Sequence, residues 1–297
     1  MTLLNYEIFN MVVAHKSFNK AAEHLSLTPS AVSHAITKLE NDMGLRLFER
    51  HRNGVKLTES GEMLLPYIRS LLNDSEQLQQ VISKIKGLEV GVVKIGMFNS
   101  VCVNWIPNLV KAYARLHPTV EIQIFQGGYE DVAMWIENAT VDMGFVSLSS
   151  DYPFETKPLY KDPLMCIVPK GFKPKREGLV TIEDLKERQL VHQSEGNDSE
   201  TSNYLKRHNI SVATPFQIED DQSLLAIVES GLGICLVPSL VLSNLKHDVD
   251  AYPLLPEAFR VIGLATRDLS NLSPIAKNFY AFILKYLKEE SIINIDE

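Results

Sequence analysis

Cysteine is scarce in this sequence: Cys102, Cys166 and Cys235 are the only three in 297 residues, and no two form a CxxC pair. Each lies in an apolar run ("SVCVNW", "LMCIVP", "GICLVP"), which predicts reduced core thiols and a cytoplasmic setting. The rival reading, a redox sensor, needs an exposed thiolate near a cation. Long hydrophobic runs are also missing. Nothing approaches the roughly 18 consecutive apolar residues of a membrane span, and the start "MTLLNYEIFNMVVAHKS" lacks a basic n-region and a small-residue cleavage site. Neither a membrane segment nor a secretory signal is expected. Catalytic signatures are absent too: there is no HExxH, nucleophile elbow, P-loop or H-x-E with paired cysteines. No catalytic residue, metal or cofactor is therefore assigned, and an enzyme is not expected.

Positive charge is short overall, with 29 Lys and Arg against 37 Asp and Glu for a net charge of −8. That balance argues against nucleic acid until its distribution is considered. Residues 1–58 hold seven basic and five acidic side chains plus four histidines, while the remainder carries 22 against 32. Only the N-terminal piece can comfortably face a phosphate backbone. The 45% hydrophobic and 22% charged composition is that of a globular protein, in a chain long enough for two or three domains.

Leu4, Ile8, Phe9, Val12 and Val13 fall on one helical stripe. Ser17 can cap a second helix, "FNKAAEHL". Thr28 is a good N-cap with Pro29 in the first helical position, and the third helix buries Val32, Ile36, Leu39 and Met43 before stopping at Gly44. Two short strands then flank Arg52-Asn53-Gly54, where Asn-Gly is a strong hairpin signal. Three helices and a hairpin within residues 1–58 predict a winged helix-turn-helix. Thr58 can cap a long fourth helix in which Leu64, Ile68, Leu71, Ser75, Leu78, Ile82 and Ile85 alternate four and three residues apart. That period predicts a coiled-coil seam, hence a linker and dimerisation helix over 59–88; packing against its own domain is the alternative.

From Val92 strands alternate with helices. "VVKIGMF", "VEIQIFQ" and "VDMGFVSL" are separated by helical patterns, and a second such series starts near Pro163. This predicts a C-terminal α/β domain over 89–297 with two Rossmann-like subdomains. The first takes about 92–162 and 267–297, the second about 163–266, with crossovers near 148–163 and 266 and a cleft between them. The GxG of "GLGICLVP" follows a helix and precedes a strand, the reverse of a dinucleotide fingerprint, and reads as a turn.

One stretch carries a specific resemblance. "SFNKAAEHLSLTPSAVSHAITKLENDMGLRLFERHRNGVKLTESG" is similar to the DNA-binding segment of LysR-type transcriptional regulators. The matched positions are Ser17-Phe18, Ala21-Ala22, Ser30 to Ser33, Ile36, Leu39-Glu40, Gly44, Leu47-Phe48, Arg50, Leu57-Thr58 and Gly61. Pro29 departs from the pattern, standing where family members often have Gln. "WIPNLVKAYARLHPTVEIQI", "VDMGFVS" and "GLGICLVP" resemble, more loosely, the family's periplasmic-binding-protein-like (type 2) effector domain.

The resemblance implies a cytoplasmic homodimer or homotetramer on double-stranded operator DNA, tuned by a small-molecule effector and contacting RNA polymerase if it activates. A recognition helix presents Ser30, Ser33, His34 and Thr37 to base edges, with a generic solvated helix face as the bland alternative. Lys38, Arg50, Arg52 and Lys56 are assigned to phosphates. Ligands of open α/β sheets bind beyond the carboxyl ends of strands. The effector residues expected there are Asn99, Ser100, Val101, Gln126, Ser147, His192, Gln193 and Ser194, although His192 also reads as a core histidine. A polar or anionic metabolite is the expected ligand, drawn to helix N-termini. The alternative is a cytoplasmic solute-binding protein whose N-terminal domain is an interaction module.

Overall fold

The computed structural model describes residues 2–51, 54–85, 90–149, 151–193, 199–211, 218, 220–243 and 247–295. The chain divides into two compact units, Met1–Val90 with Glu137–Thr140, and Gly91–Ile136 with Val141–Glu297.

The first unit contains α1 (Leu3–His15), α2 (Phe18–His24), α3 (Pro29–Met43), the hairpin β1 (Phe48–His51) and β2 (Gly54–Leu57), and the long α4 (Glu59–Ile85). Its core joins Ile8, Phe9 and Val12 of α1 to Ala21 and Ala22 of α2 and to Val32, Ile36 and Leu39 of α3. Leu47, Phe48, Leu65 and Ile68 close it. Leu4, placed on the buried stripe by periodicity, is instead 53% exposed, while its neighbour Asn5 is buried. The ends of α3 follow from its local chemistry. Thr28 Oγ1 accepts from Ala31 N at 3.2 Å, Pro29 fills the first turn, and Gly44 takes φ +68° to stop it.

Three residues lock the hairpin onto this frame. Glu40 Oε1 accepts from the backbone N–H groups of Leu47 and Phe48 at 2.7 and 3.2 Å, tying α3 to the first strand. Thr58 Oγ1 donates to Arg46 O at 2.7 Å and accepts from Gly61 N at 3.1 Å, so one hydroxyl caps α4 and anchors the incoming chain. The register pairs His51 with Gly54, so Gly54 belongs to the strand, while Arg52 and Asn53 lie outside the described residues. Gly61 approaches so closely that an added Cβ would stand 2.4 Å from Leu47 O and 2.8 Å from a Leu57 methyl. Gly61→Ala is therefore expected to destabilise this unit by about 1–3 kcal/mol in a denaturant titration, the range of a forced overpacking.

The predicted seam of α4 divides in two. Leu64 and Ile68 pack into the unit's own core, as the alternative reading had it. Leu71, Leu78 and Ile85 are 46%, 58% and 81% exposed, with Val81 beside them at 41%.

The second unit opens with β3 (Gly91–Met97), α5 (Asn99–Asn104), α6 (Ile106–Leu116), β4 (Val120–Gln126), α7 (Tyr129–Glu137) and β5 (Met143–Ser147). β3 lies between β4 and β5, parallel to both. The strand β6 (Glu155–Pro169) follows, then β7 (Val180–Thr181), α8 (Ile182–Lys186), α9 (Ser199–Arg207), α10 (Asp221–Glu229), β8 (Cys235–Pro238) and α11 (Ser239–Leu242). β9 (Val249–Leu255), β10 (Phe259–Thr266) and α12 (Pro274–Glu289) complete it. The strand order is β4-β3-β5-β10-β6-β9-β7, with β8 also on β6.

β6 passes between two lobes. Its first half, Glu155 to Pro163, pairs with β10, and its second half, Leu164 to Pro169, pairs with β8 and β9. The expected return near residue 266 is displaced by a whole strand: Phe259–Thr266, assigned from sequence to the second subdomain, pairs with β5 and belongs to the first lobe. Chain order does not reveal a strand's neighbours, and a strand buried on both faces reads the same in either lobe. "QLVHQ" also reads as a strand in the sequence, but Leu190 and Gln193 form only single bridges, to Ile234 and Ile218. Among the described residues no helix is long and apolar enough to cross a membrane.

Candidate functional site

On the first unit, α3 shows two opposed faces. Val32, Ile36 and Leu39 are at most 2% exposed, while Ser30, His34, Thr37 and Lys38 face outward and Ser33 is half-buried. Several of these polar groups already have partners. Thr37 Oγ1 donates to Ser33 O at 2.9 Å, and Ser30 Oγ lies 3.0 Å from Thr28 Oγ1. Arg50 Nη2 donates to Ser33 Oγ at 2.9 Å while its guanidinium lies 4.6 Å over the Phe18 ring. Arg50 thus braces the first wing strand against both helices of the motif, a positioning role that spacing alone does not reveal. Lys56 is exposed on β2, opposite Glu49. Arg52, the remaining wing cation in the expected set, lies outside the described residues.

In the second unit the two lobes enclose a cavity of about 510 Å³ at the carboxyl ends of β3 and β4. Asn99, Ser100, Gln126 and Gln193 line it, as the position of the strand ends predicts. They also bridge the lobes. Gln126 Nε2 donates to Asn99 Oδ1 at 3.1 Å, and Asn99 Nδ2 donates to Asp221 Oδ2 at 3.2 Å. Asp221 Oδ1 accepts in turn from Gln193 Nε2 at 2.7 Å.

Among the described residues, the other expected ones do not line the cavity. Val101 is fully buried in the core of the first lobe. Ser147, also fully buried, donates from Oγ to Glu200 of α9, a second bond across the lobes. His192, half-buried, has Nε2 3.0 Å from Ser202 Oγ. Ser194 lies outside the described residues.

Sequence reasoning missed the cavity's charged residues. Arg260, 3% exposed on β10, donates from Nε to Asp162 Oδ2 at 2.9 Å and from Nη1 and Nη2 to Tyr129 Oη and Ser100 Oγ at 2.6 and 2.8 Å. Asp162 is fully buried and turns its other oxygen to Ser239 Oγ at 2.7 Å and Leu240 N at 3.1 Å, at the start of α11. Burial opposes the Arg260 charge, but the neighbouring Tyr129 and Asp162 prevail and hold its pKa above the usual guanidinium value. Asp220, the N-cap of α10, accepts from Ser223 N at 2.9 Å, and hydrogen bonds to Ser223 hold its carboxyl below the ordinary range. A signal for these residues was present: Arg260 is a lone cation within the apolar run "FRVIGLAT".

The thiols show none of the activation a sensor requires. Burial raises the pKa of Cys102 and, far more strongly, of Cys166, and Cys235 is fully buried. Among the described residues no group of three His, Cys, Asp or Glu could hold a metal ion.

A winged helix-turn-helix in one chain with a two-lobed α/β domain around a polar cavity defines a class: DNA-binding regulators that carry a small-molecule sensor. Comparison with known proteins gives the family. Residues 3–62 match the bacterial regulatory helix-turn-helix protein, lysR family, and residues 86–288 match the LysR substrate binding domain. The chain belongs to the LysR family of transcriptional regulators and carries that family's effector-binding domain. It is 26% identical over 282 residues to the uncharacterized HTH-type transcriptional regulator YvbU of Bacillus subtilis (strain 168), covering 94% of this chain and 96% of that protein. It is 25% identical over 277 residues to the HTH-type transcriptional regulator BenM of Acinetobacter baylyi, covering 91% of each. Full-length BenM superposes with a TM-score of 0.61 at 25% identity, over the whole of both chains. A singly substituted full-length OxyR from Pseudomonas aeruginosa shares the fold with a TM-score of 0.74 at 19% identity, over 96% of this chain and 97% of that one. CbnR in complex with its target DNA shares it with a TM-score of 0.63 at 19% identity, over 96% and 99%. The family's members are transcriptional regulators rather than enzymes.

Proposed function

We propose that this chain is a cytoplasmic, non-catalytic regulator that binds double-stranded DNA as a homodimer or homotetramer and answers to a small molecule held in the cavity of its second unit. One observation carries the DNA reading: the outward face of α3 offers short hydrogen-bonding side chains, with Val32, Ile36 and Leu39 fixing the helix from behind. Ser30, Ser33, His34 and Thr37 are the base readers, and their short side chains let the helix backbone approach the groove floor. Lys38, Lys56 and the exposed Arg50 add phosphate contacts that set register without reading sequence. An activator of this form also contacts RNA polymerase.

Effector control follows from the hydrogen bonds that join the lobes. Asn99 to Asp221 and Ser147 to Glu200 hold one lobe arrangement. A ligand that replaces or adds to these bonds favours one arrangement over another, and only that difference in affinity can shift the population on DNA.

Gel shifts with genomic fragments across a salt series test the reading, because phosphate contacts release counterions and make binding salt-sensitive. The Ser33→Ala, His34→Ala double variant is expected to lose about 1–3 kcal/mol of specific binding for each base contact removed. Binding to scrambled DNA should change far less. Equal losses on both would remove these residues from base reading, and the absence of any salt-sensitive complex would leave a sensor without DNA activity.

A further inference from the structure

The cavity's charge points to a ligand opposite in sign to the anion that helix N-termini suggest. Three charged side chains line it among the described residues: Arg260, Asp220 and Asp221. The Arg260 charge is matched by Asp162 at 2.7 Å, and its three nitrogens donate to Asp162, Tyr129 and Ser100. Among the described residues the two aspartates have no such match. Asp220 accepts from the Ser223 N–H and Asp221 from the side-chain amides of Asn99 and Gln193. Neutral donors satisfy a carboxylate's hydrogen bonds without cancelling its charge.

Backbone donors that draw anions are taken up at several helix starts around the cavity, although Phe98, the N-cap of α5, provides no side-chain cap there. The chain's own carboxylates take the N–H groups at three helix starts around the cavity: Asp220 on Ser223 of α10, Asp162 on Leu240 of α11, and Asp131 on Gly128 before α7 at 2.9 Å. An entering carboxylate or phosphate would meet these seated carboxylates, and among the described residues no cation is paired with Asp220 or Asp221.

Resting on the effector reading above, we propose that the cavity takes a ligand bearing a protonated amine, with Asp221 as its counter-ion. Each Asp221 oxygen accepts one hydrogen bond, leaving lone pairs for an ammonium group. The side-chain nitrogens of Gln126 and Gln193 are committed to the network, so their amide oxygens can receive the remaining ammonium protons. Because Asp221 joins the Gln126–Asn99 pair of one lobe to Gln193 of the other, an amine there acts on the bonds that bridge the lobes.

The test titrates the full-length chain with four probes sharing a four-carbon skeleton: 1,4-diaminobutane, 4-aminobutyrate, butane-1,4-diol and succinate. Melting temperature and calorimetric heats give the readout. The two amines should bind and raise the melting temperature, while the diol and succinate should not. Asp221→Asn keeps the side-chain shape and should weaken amine binding about 10- to 100-fold, as loss of a charge-assisted hydrogen bond implies. The ligand-free melt of the variant shows whether it has folded. Absence of an amine shift, an equal or larger shift with succinate, or an unchanged amine affinity in a folded Asp221→Asn protein would each overturn the proposal. A gel shift on the same preparation separates the two readings. Salt-sensitive DNA binding with no amine preference sinks only the ligand assignment, whereas no DNA complex sinks the regulator.

Discussion

Arg260→Ala is expected to remove about 3–5 kcal/mol from the stability of the second unit, since it leaves a fully buried Asp162 carboxylate without its cation. Much of this cost comes from what remains rather than from what is lost. Asp162 stays fixed by Ser239 Oγ and Leu240 N and cannot turn towards water. Tyr129 Oη and Ser100 Oγ lose a partner in the same step. Both tryptophans, Trp105 and Trp135, lie in this unit, so fluorescence during a denaturant titration reports its unfolding alone.

Arg260→Lys should recover only part of the loss, because a single ammonium group cannot span three acceptors in the way a planar guanidinium does. A compensating pair gives a sharper check. Arg260→Met with Asp162→Asn removes both charges yet keeps a side-chain oxygen for Ser239 and Leu240, and it should recover most of the lost stability. If Arg260→Ala shifts the unfolding midpoint by less than about 1 kcal/mol, the pair is not what holds the lobes at the cavity floor.

The first unit could be read from its sequence because its signals are local. Thr28, Pro29 and Gly44 mark the ends of α3 within a few residues of the structure they specify, and Val32, Ile36 and Leu39 repeat at helical spacing. The cavity could be read only in part. Asn99, Ser100 and Gln126 follow strands, and strand ends are where such sites form. Arg260 and Asp162 lie 98 residues apart, brought together by antiparallel pairing that no local pattern encodes. Asp220 and Asp221 read as an ordinary helix start, and nothing nearby shows that one of them reaches the other lobe. The expectation of a polar or anionic ligand rests on the helix N-termini around the cavity and takes no account of the carboxylates seated at several of them.

The second large effect concerns α4. Its heptad pattern runs unbroken through the sequence, yet only its first part is used within the chain, where Leu64 and Ile68 join the core. Beyond that point Leu71, Leu78 and Ile85 remain 46%, 58% and 81% exposed on a helix of 27 residues. Fully burying one such side chain is worth about 1.5–3 kcal/mol, so a row of them against a second copy can sustain a dimer. Leu71→Glu with Leu78→Glu places charges on the seam without touching α3, the hairpin or the cavity. Sedimentation should then show monomers under conditions where the unaltered chain self-associates. Apparent affinity for a two-half-site operator should fall about 10²–10⁴-fold, the advantage lost when two linked modules become separate. Affinity for a single half-site should hardly change, which distinguishes lost pairing from a damaged recognition helix. If the double variant still self-associates and still binds the full operator tightly, the exposed leucines are not the dimer contact. The coupling of two recognition helices must then come from another surface of the chain.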